Sequence, residues 1–161
     1  RVLAWRGPPM GGVNSCGEGT RIGCACRYAA RMSTNSEIVR DFMAAWNRKD
    51  IDGVMGFFAP DAIYHNMPGD PVAGIEPIRA VIEGYATPAD AIDWVLMEVA
   101  ETAGGVVLTE RLDKFDFGGK WLELPVMGTF ELGDGKITAW RDYFDMATFG
   151  RQMTAIREAS A

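Results

Sequence analysis

The chain has 161 residues, which is enough for one domain with a substantial hydrophobic core. Its 48% hydrophobic and 24% charged residues are ordinary for a soluble globular protein, and no apolar run is long enough to span a bilayer. The formal net charge of -6 argues against nucleic acid as the main partner, because phosphate binding needs a basic surface. We therefore expect neither a nucleic-acid partner nor a membrane partner.

Residues 1–31 differ in composition from the rest of the chain. They are rich in glycine and arginine, show no helical or strand period, and hold all the cysteines, at Cys16, Cys24 and Cys26. A single Cys24-Ala25-Cys26 pair is a weak indication of a metal site. We predict that residues 1–31 are a disordered leader and that residues 32–161 form a single domain. That domain needs no disulfide, which is typical of a reducing compartment and predicts a cytoplasmic protein.

Four segments have helical periodicity. Thr34-Asn35-Ser36-Glu37 fits a capping box and predicts a helix that runs to Asn47. A short helix is predicted from Ile51 to Phe58, a third from Glu76 to Tyr85, and a last one from Ala147 to Arg157.

The remaining periodic segments alternate like strands. One early strand is predicted from Asp61 to Asn66, and four more run from Ala91 to Thr102, Val106 to Phe117, Trp121 to Glu131 and Lys136 to Phe144. Helices that precede a run of strands indicate an α+β fold. We predict a curved, mixed, mainly antiparallel sheet whose concave side forms a pocket under the N-terminal helices.

The strand that contains Arg111 and Asp113 carries charges on an otherwise apolar face. Residues two apart share a face of a strand, so Arg111, Asp113 and Phe115 point the same way. If Gly118-Gly119 is a two-residue hairpin loop, Asp113 lies opposite Leu124 and Arg111 opposite Val126.

The next hairpin brings a second aspartate to this face. If residues 133–135 form a three-residue loop, Leu132 faces Lys136, and counting onward places Val126 opposite Asp142. Arg111, Val126 and Asp142 would then form one row across the sheet. Buried charges seldom stabilise a protein relative to apolar packing, so an Asp-Arg-Asp cluster is a candidate functional site, with a structural ion-pair cluster as the alternative.

Several motifs together resemble the limonene epoxide hydrolase family: Tyr64-His65-Asn66, Glu110-Arg111-Leu112-Asp113, Leu124-Pro125-Val126-Met127-Gly128 and Trp140-Arg141-Asp142-Tyr143-Phe144-Asp145. The resemblance runs from about Ser36 to Ile156. It implies a cone-shaped fold shared with nuclear transport factors and ketosteroid isomerases, and a homodimer. It also implies a small apolar epoxide and water as reactants, limonene oxide being the type substrate, with no cofactor, no metal and no covalent enzyme ester.

The resemblance also implies a role for each of five residues. Asp113 corresponds to the general acid that protonates the epoxide oxygen, and Asp142 to the general base that takes a proton from water. Tyr64 and Asn66 would hold that water with Asp142, and Arg111 would bridge the two aspartates. The alternation independently places Tyr64 and Asn66 on one face of the early strand, with the lone His65 on the other.

Elementary chemistry agrees with two carboxyl groups in opposite protonation states. Opening an epoxide at neutral pH needs a proton for the leaving oxygen and a base for the attacking water. An aspartate has an ordinary pKa near 3.9, so keeping one protonated at pH 7 requires a rise of about 3, or roughly 4 kcal/mol. Burial and a second carboxylate raise the pKa, whereas Arg111 lowers it. We predict that the coupled pair holds one proton.

Seven apolar side chains are candidates for the substrate-binding wall, although each is equally consistent with plain core: Met43, Trp94, Phe115, Leu124, Trp140, Phe144 and Phe149. They predict a substrate with few polar groups. A ketosteroid-isomerase-like enzyme and a non-catalytic binding protein for an apolar ligand are the alternative functions. An arginine between two acids has no role in the isomerase, so Arg111 discriminates against it. The α/β-hydrolase type of epoxide hydrolase is rejected, because no nucleophile elbow is present.

Overall fold

The computed structural model describes residues 34–159, and all statements about structure refer to them. The predicted leader and its cysteines lie outside the described residues. Within them, the helices are α1 (Asn35–Asn47), α2 (Ile51–Met55), α3 (Ile75–Ala86) and α4 (Met146–Glu158). None of these helices has the length and hydrophobicity needed to cross a bilayer.

A single sheet of six strands forms the centre of the described part of the chain. The strands are β1 (Phe58–Asn66), β2 (Val72–Ala73), β3 (Ala91–Glu101), β4 (Val107–Asp116), β5 (Trp121–Gly133) and β6 (Lys136–Phe144). Their order across the sheet is β2-β1-β6-β5-β4-β3, in which only β1 and β6 run parallel. The predicted α+β class with a curved, mixed, mainly antiparallel sheet is confirmed. Helix α4 also packs on the sheet, against β5.

Local sequence signals explain the first two helices. Thr34 and Glu37 form the predicted capping box, in which the Glu37 amide donates to the Thr34 hydroxyl at 3.2 Å and the Thr34 amide donates to the Glu37 carboxylate at 2.8 Å. The second helix is shorter than predicted, because Phe58 pairs with Ile137 of β6 and so belongs to β1. The parallel pairing shifts register between Phe58 and Ile63, where Pro60 lacks the amide needed to continue a ladder.

Aromatic side chains form much of the core between α1 and the sheet. Phe42 meets Trp140 edge to face, with ring centroids 5.2 Å apart, and Phe130 stacks on Trp140 at 5.7 Å. Phe42, Trp46, Phe130 and Trp140 are all fully buried. Trp140 and Asp142 are two residues apart on β6 and share a face, so α1 packs on the same face of the sheet that carries the charged residues.

The hairpin between β4 and β5 has the predicted register. Asp113 lies opposite Leu124 and Arg111 opposite Val126, and the Phe117 amide donates to the Lys120 carbonyl at 2.9 Å.

The predicted register of the hairpin between β5 and β6 is wrong by two residues. Gly133 pairs with Lys136 across a two-residue turn in which Asp134 (φ 50°) and Gly135 (φ 74°) are both left-handed, as a type I′ turn requires. An irregularity after Glu131 adds a second shift. Asp142 therefore faces Gly128 instead of Val126, which faces Phe144. A slip of one residue would have turned Asp142 to the opposite face of the sheet, whereas a slip of two preserves its face.

Candidate active site

A cavity of about 820 Å³ opens between the inner face of the sheet, α3 and α4. Five of the proposed wall residues line it, namely Trp94, Phe115, Leu124, Phe144 and Phe149, together with the proposed catalytic groups Tyr64, Asn66, Asp113 and Asp142. Further lining comes from residues that the sequence analysis did not propose for the wall, chiefly Tyr85, Phe117, Leu122, Val126, Met146, Met153 and Ile156. The lining is mostly apolar, and its charged side chains are Asp113, Asp142 and Arg157; a mainly apolar lining with a few polar groups is typical of a small-molecule site.

Two of the proposed wall residues are not on the wall. Met43 lies on α1 in the core, and Trp140 is fully buried beneath Tyr64, so neither lines the cavity. The apolar period of a helix or strand marks a buried face but does not distinguish the core from a cavity wall.

Arg111 lies under the cavity and joins the two aspartates. Its Nε donates to Asp113 Oδ1 and its Nη2 to Asp113 Oδ2, both at 3.0 Å, while Nη2 also donates to Asp142 Oδ2 at 2.7 Å. Nη1 donates to Thr109 Oγ1 at 3.1 Å. The guanidinium is fully buried and lies 5.1 Å from the centroid of the Trp94 ring. The arginine is thus held by a two-point contact to Asp113 and by one contact to Asp142.

A missing side chain makes room for this bridge. Gly128 lies between Thr109 on β4 and Asp142 on β6. A Cβ at this position would lie 2.6 Å from Thr109 Oγ1 and 2.9 Å from Asp142 Oδ1, and would overlap Arg111 Nη1. Arg111 therefore reaches diagonally across β5 through the space that the glycine leaves.

Asp142 has a hydrogen-bond donor that Asp113 lacks. Trp140 Nε1 donates to Asp142 Oδ1 at 2.8 Å, so both carboxylate oxygens of Asp142 accept a hydrogen bond within the protein. Asn66 is the register partner of Asp142 in the parallel pair, and Tyr64 stacks on Trp140 with ring centroids 4.2 Å apart. The side chains that the family resemblance groups around a water therefore converge on one end of the Asp-Arg-Asp cluster.

The three charged groups change one another's pKa. Burial raises the pKa of Asp113 to about 6, against the charge and hydrogen bonds of Arg111, and the charge of Asp142 adds to the rise. Burial likewise raises the pKa of Asp142, opposed by Arg111 and by the hydrogen bond from Trp140. Burial acts to lower the pKa of Arg111, but the two carboxylates outweigh it and raise that pKa. Because the Trp140 hydrogen bond favours the ionised form of Asp142 alone, a shared proton is best placed on Asp113.

The side chains of His, Cys, Asp and Glu are the usual ligands of a metal ion. Within residues 34–159, no three or more His, Cys, Asp and Glu side chains are arranged to hold a metal ion. His65 is not among the cavity-lining residues, and its Nε2 lies 2.7 Å from the carbonyl oxygen of Gly69, with which it shares a hydrogen bond.

Known proteins resemble this chain along most of its described length. Residues 33–155 match the family described as the limonene-1,2-epoxide hydrolase catalytic domain. Epoxide hydrolase EphG of Mycobacterium tuberculosis (strain ATCC 25618 / H37Rv) is 30% identical over 114 residues, which span 67% of this chain and 71% of that protein.

Solved structures show the same fold. The structure of an M. tuberculosis LEH-like epoxide hydrolase superposes with a TM-score of 0.66 at 26% identity, covering 78% of this chain and 92% of that one. SalBIII, an epoxide hydrolase/cyclase-like enzyme of pyran ring formation in the polyether salinomycin, superposes with a TM-score of 0.64 at 18% identity, covering 71% and 92% of the two chains. At that identity, the likeness to SalBIII shows the fold alone.

Proposed function

We propose that this chain, which belongs to the limonene-1,2-epoxide hydrolase family, hydrolyses an apolar epoxide to a vicinal diol by direct attack of water. The observation that carries the proposal is the buried Arg111, hydrogen-bonded to both Asp113 and Asp142 at the base of an apolar cavity. Two carboxyl groups that share one proton supply both the acid and the base that the reaction needs.

Asp113 is the proposed general acid. Its raised pKa allows it to hold a proton close to neutral pH, and it lines the cavity where an epoxide oxygen can approach. As the carbon–oxygen bond of the epoxide breaks, the Asp113 proton passes to the leaving oxygen. The Arg111 guanidinium then stabilises the carboxylate that forms.

Asp142 is the proposed general base. It takes one proton from a water molecule held by Tyr64 and Asn66, while the water oxygen forms the new bond to the epoxide carbon. The reaction ends with the proton on Asp142 instead of Asp113, and a proton transfer between them resets the site. One positive and one negative charge are present before and after the reaction, so the buried cluster stays neutral.

The size and the lining of the cavity support the proposal of an apolar substrate. Its volume of about 820 Å³ lies in the upper part of the roughly 300–1,000 Å³ range of small-molecule pockets. Limonene oxide and similar cyclic epoxides are the proposed substrates, with room for larger apolar epoxides. The aromatic and methionine side chains of the wall would hold the hydrocarbon part through dispersion contacts and burial.

We also propose a homodimer formed through the outer face of the sheet. The strand alternation that directs the site residues to the inner face directs their sequence neighbours to the outer face. Met127 on β5 and Tyr143 on β6 are direct neighbours there, and they are 52% and 46% exposed. Val95, Met97 and Leu108 are further exposed apolar side chains on β3 and β4, although Glu110 is the direct neighbour of Met127 on β4. An apolar patch on a soluble protein is characteristic of an interaction surface.

The test of the activity is a single-turnover reaction of limonene oxide or cyclohexene oxide in ¹⁸O-labelled water. Label in the diol from the first turnover is expected, because the attacking oxygen comes from water. Asp142→Asn is expected to lower the rate by about 10²–10⁴-fold, the usual contribution of a general base.

Asp61→Asn is the matched control, since Asp61 is an exposed aspartate on β1 outside the cavity lining. An unlabelled diol in the first turnover would show that the oxygen came from the protein, and would contradict direct water attack. Failure of the wild-type chain to open either of these epoxides or a larger apolar one would contradict the activity itself.

A further inference from the structure

A second tyrosine hydroxyl meets Tyr64 inside the cavity. The hydroxyl oxygens of Tyr64 on β1 and Tyr85 on α3 are 3.4 Å apart, and both residues line the cavity. Tyr85 is separated from Tyr64 by a loop, a short strand and most of a helix, so no local pattern placed it at the site.

Both phenol rings are held by aromatic neighbours. Tyr64 stacks on Trp140, whereas Tyr85 stacks on Trp46 with an interplanar angle of 9° and centroids 5.7 Å apart. Phe115 meets the Tyr85 ring edge to face at 5.8 Å. With the rings restrained, each hydroxyl retains little freedom beyond rotation of its hydrogen. The direction of the Tyr64 hydrogen is therefore decided by the hydrogen-bond partners around its oxygen.

Hydrogen-bond counting shows what the second hydroxyl supplies. A hydroxyl donates one hydrogen and accepts through its oxygen. A water can direct one hydrogen at Asp142 and donate the other to Asn66. Its oxygen then still has a lone pair that can accept a hydrogen bond from Tyr64. If Tyr64 donates to Tyr85 instead, that donor is lost to the water. If Tyr85 donates to Tyr64, the Tyr64 hydrogen is free to point at the water beside Asp142.

We infer that Tyr85 is a positioning residue, which donates its hydroxyl hydrogen to Tyr64 and so directs the Tyr64 hydrogen toward the attacking water. This role rests on the proposed function. The separation of 3.4 Å is longer than the usual 2.7–2.8 Å of a hydroxyl pair. Catalytic hydrogen bonds are often long in the free enzyme and shorten when the reactants bind.

The pKa shifts of the two phenols keep a hydrogen on each hydroxyl, so that either oxygen can donate in the pair. Burial raises the pKa of Tyr64, and the nearby Tyr85 and Asp142 add to the rise. Burial also raises the pKa of Tyr85, against the opposing effect of the hydrogen bond with Tyr64, and the charges of Asp142 and Asp113 add to the rise. Both phenols therefore keep their hydrogens at neutral pH and can act as donors. The charge of at least one active-site carboxylate contributes to the pKa of each phenol.

The experiment is a double-mutant cycle of Tyr64→Phe and Tyr85→Phe in the full chain. The substrate is 1-methylcyclohexene oxide in ¹⁸O-labelled water, because its two epoxide carbons differ. Tyr85→Phe is expected to lower kcat roughly five- to tenfold, with KM changed by less than about twofold, as for the loss of one neutral hydrogen bond. In the Tyr64→Phe background, Tyr85→Phe should cause no further loss, since it acts through Tyr64.

The position of the label separates positioning from a purely structural role. A water that is held less firmly should attack the two epoxide carbons in a different proportion. The ratio of label at the two carbons should therefore shift in Tyr85→Phe. Thr154→Val is the matched control: it also removes one hydroxyl, at an exposed position of α4 outside the cavity lining, and it should leave the ratio unchanged.

Each other outcome contradicts a defined part of the inference. An active Tyr85→Phe variant with wild-type kcat and label ratio would overturn the role of Tyr85 and leave the proposed function standing. A full additive loss in the Tyr64→Phe background would show that Tyr85 acts independently of Tyr64. A wild-type chain that opens no epoxide would overturn the proposed function and, with it, this role.

Discussion

At the scale of single residues, the unusual feature is an arginine buried between two aspartates. Removing one partner of a buried ion pair typically costs about 3–5 kcal/mol, because the remaining charge is left without compensation. Apolar side chains of similar volume often serve stability equally well. The arrangement is therefore better explained by the chemistry proposed for Asp113 and Asp142 than by stability.

The pKa of Asp113 predicts the basic side of the pH profile. The proposed acid must be protonated, and its protonated fraction falls as the pH rises through about 6. We expect kcat/KM to fall about tenfold for each pH unit above that value, as for any single ionisation that removes the acid. The measurement is kcat/KM between pH 4.5 and 9 with cyclohexene oxide. A flat profile across this range would contradict the assignment of Asp113 as the acid.

Trp140 predicts a shift on the acidic side of the same profile. Its indole donates to Asp142 and lowers the pKa of that carboxyl, so Trp140→Phe should raise the pKa of Asp142 and move the acidic limb to higher pH. Trp121→Phe is the matched control, because Trp121 is 42% exposed. An acidic limb that moves equally in the two variants, or in neither, would argue against this hydrogen bond as the cause.

At the scale of elements, the β5–β6 hairpin decides where Asp142 lies. The two-residue turn and the irregularity after Glu131 each shift the pairing, and together they bring Asp142 beside Gly128. The two shifts preserve the face that alternation assigned to Asp142 but change its neighbours. The empty space at Gly128 then allows Arg111 to cross β5 and reach it.

Gly128→Ala is expected to break this bridge. The added methyl group would overlap Arg111 Nη1, which cannot retreat without losing its contacts to Thr109 or Asp142. We expect a loss of about 1–3 kcal/mol in the free energy of unfolding, as for overpacked interiors, and a fall of more than about tenfold in kcat. Urea unfolding and steady-state kinetics measure the two effects.

Gly150→Ala is the control for that substitution. Gly150 lies within α4 and a Cβ there meets no atom within 4 Å. An alanine in a helix interior is favoured over glycine by about 0.5–1 kcal/mol, so this variant should be slightly more stable. A Gly128→Ala variant as active and stable as Gly150→Ala would show that Arg111 has another route to Asp142.

At the scale of the whole molecule, the sheet has one face for the cavity and one for a proposed partner. Met127→Lys places a charge beside Tyr143 on the outer face of the sheet and should convert the proposed dimer to a monomer. Sedimentation velocity across a range of protein concentrations would measure the change. Ala44→Lys adds the same charge on an exposed position of α1 and should leave the dimer intact. A wild-type chain with the mass of one protomer at every concentration would contradict the dimer.

The sequence by itself determined the features that depend on local periodicity. Alternation with period two places Arg111 and Asp113 on one face of β4, and the Thr34–Glu37 capping box begins the first helix as predicted. The order of helices and strands was sufficient for the α+β class. These features depend on neighbours in the chain, which a sequence displays directly.

Only the tertiary structure decided which residues on a face meet. The register of Asp142 depends on a turn type and an irregularity whose effects add along the strand, so a small local error moved the predicted partner by two residues. Met43 and Trp140 share the apolar pattern of the wall residues, and only packing separates core from cavity. Tyr85 reaches Tyr64 from another element, and a contact between distant segments leaves no periodic trace in a single sequence.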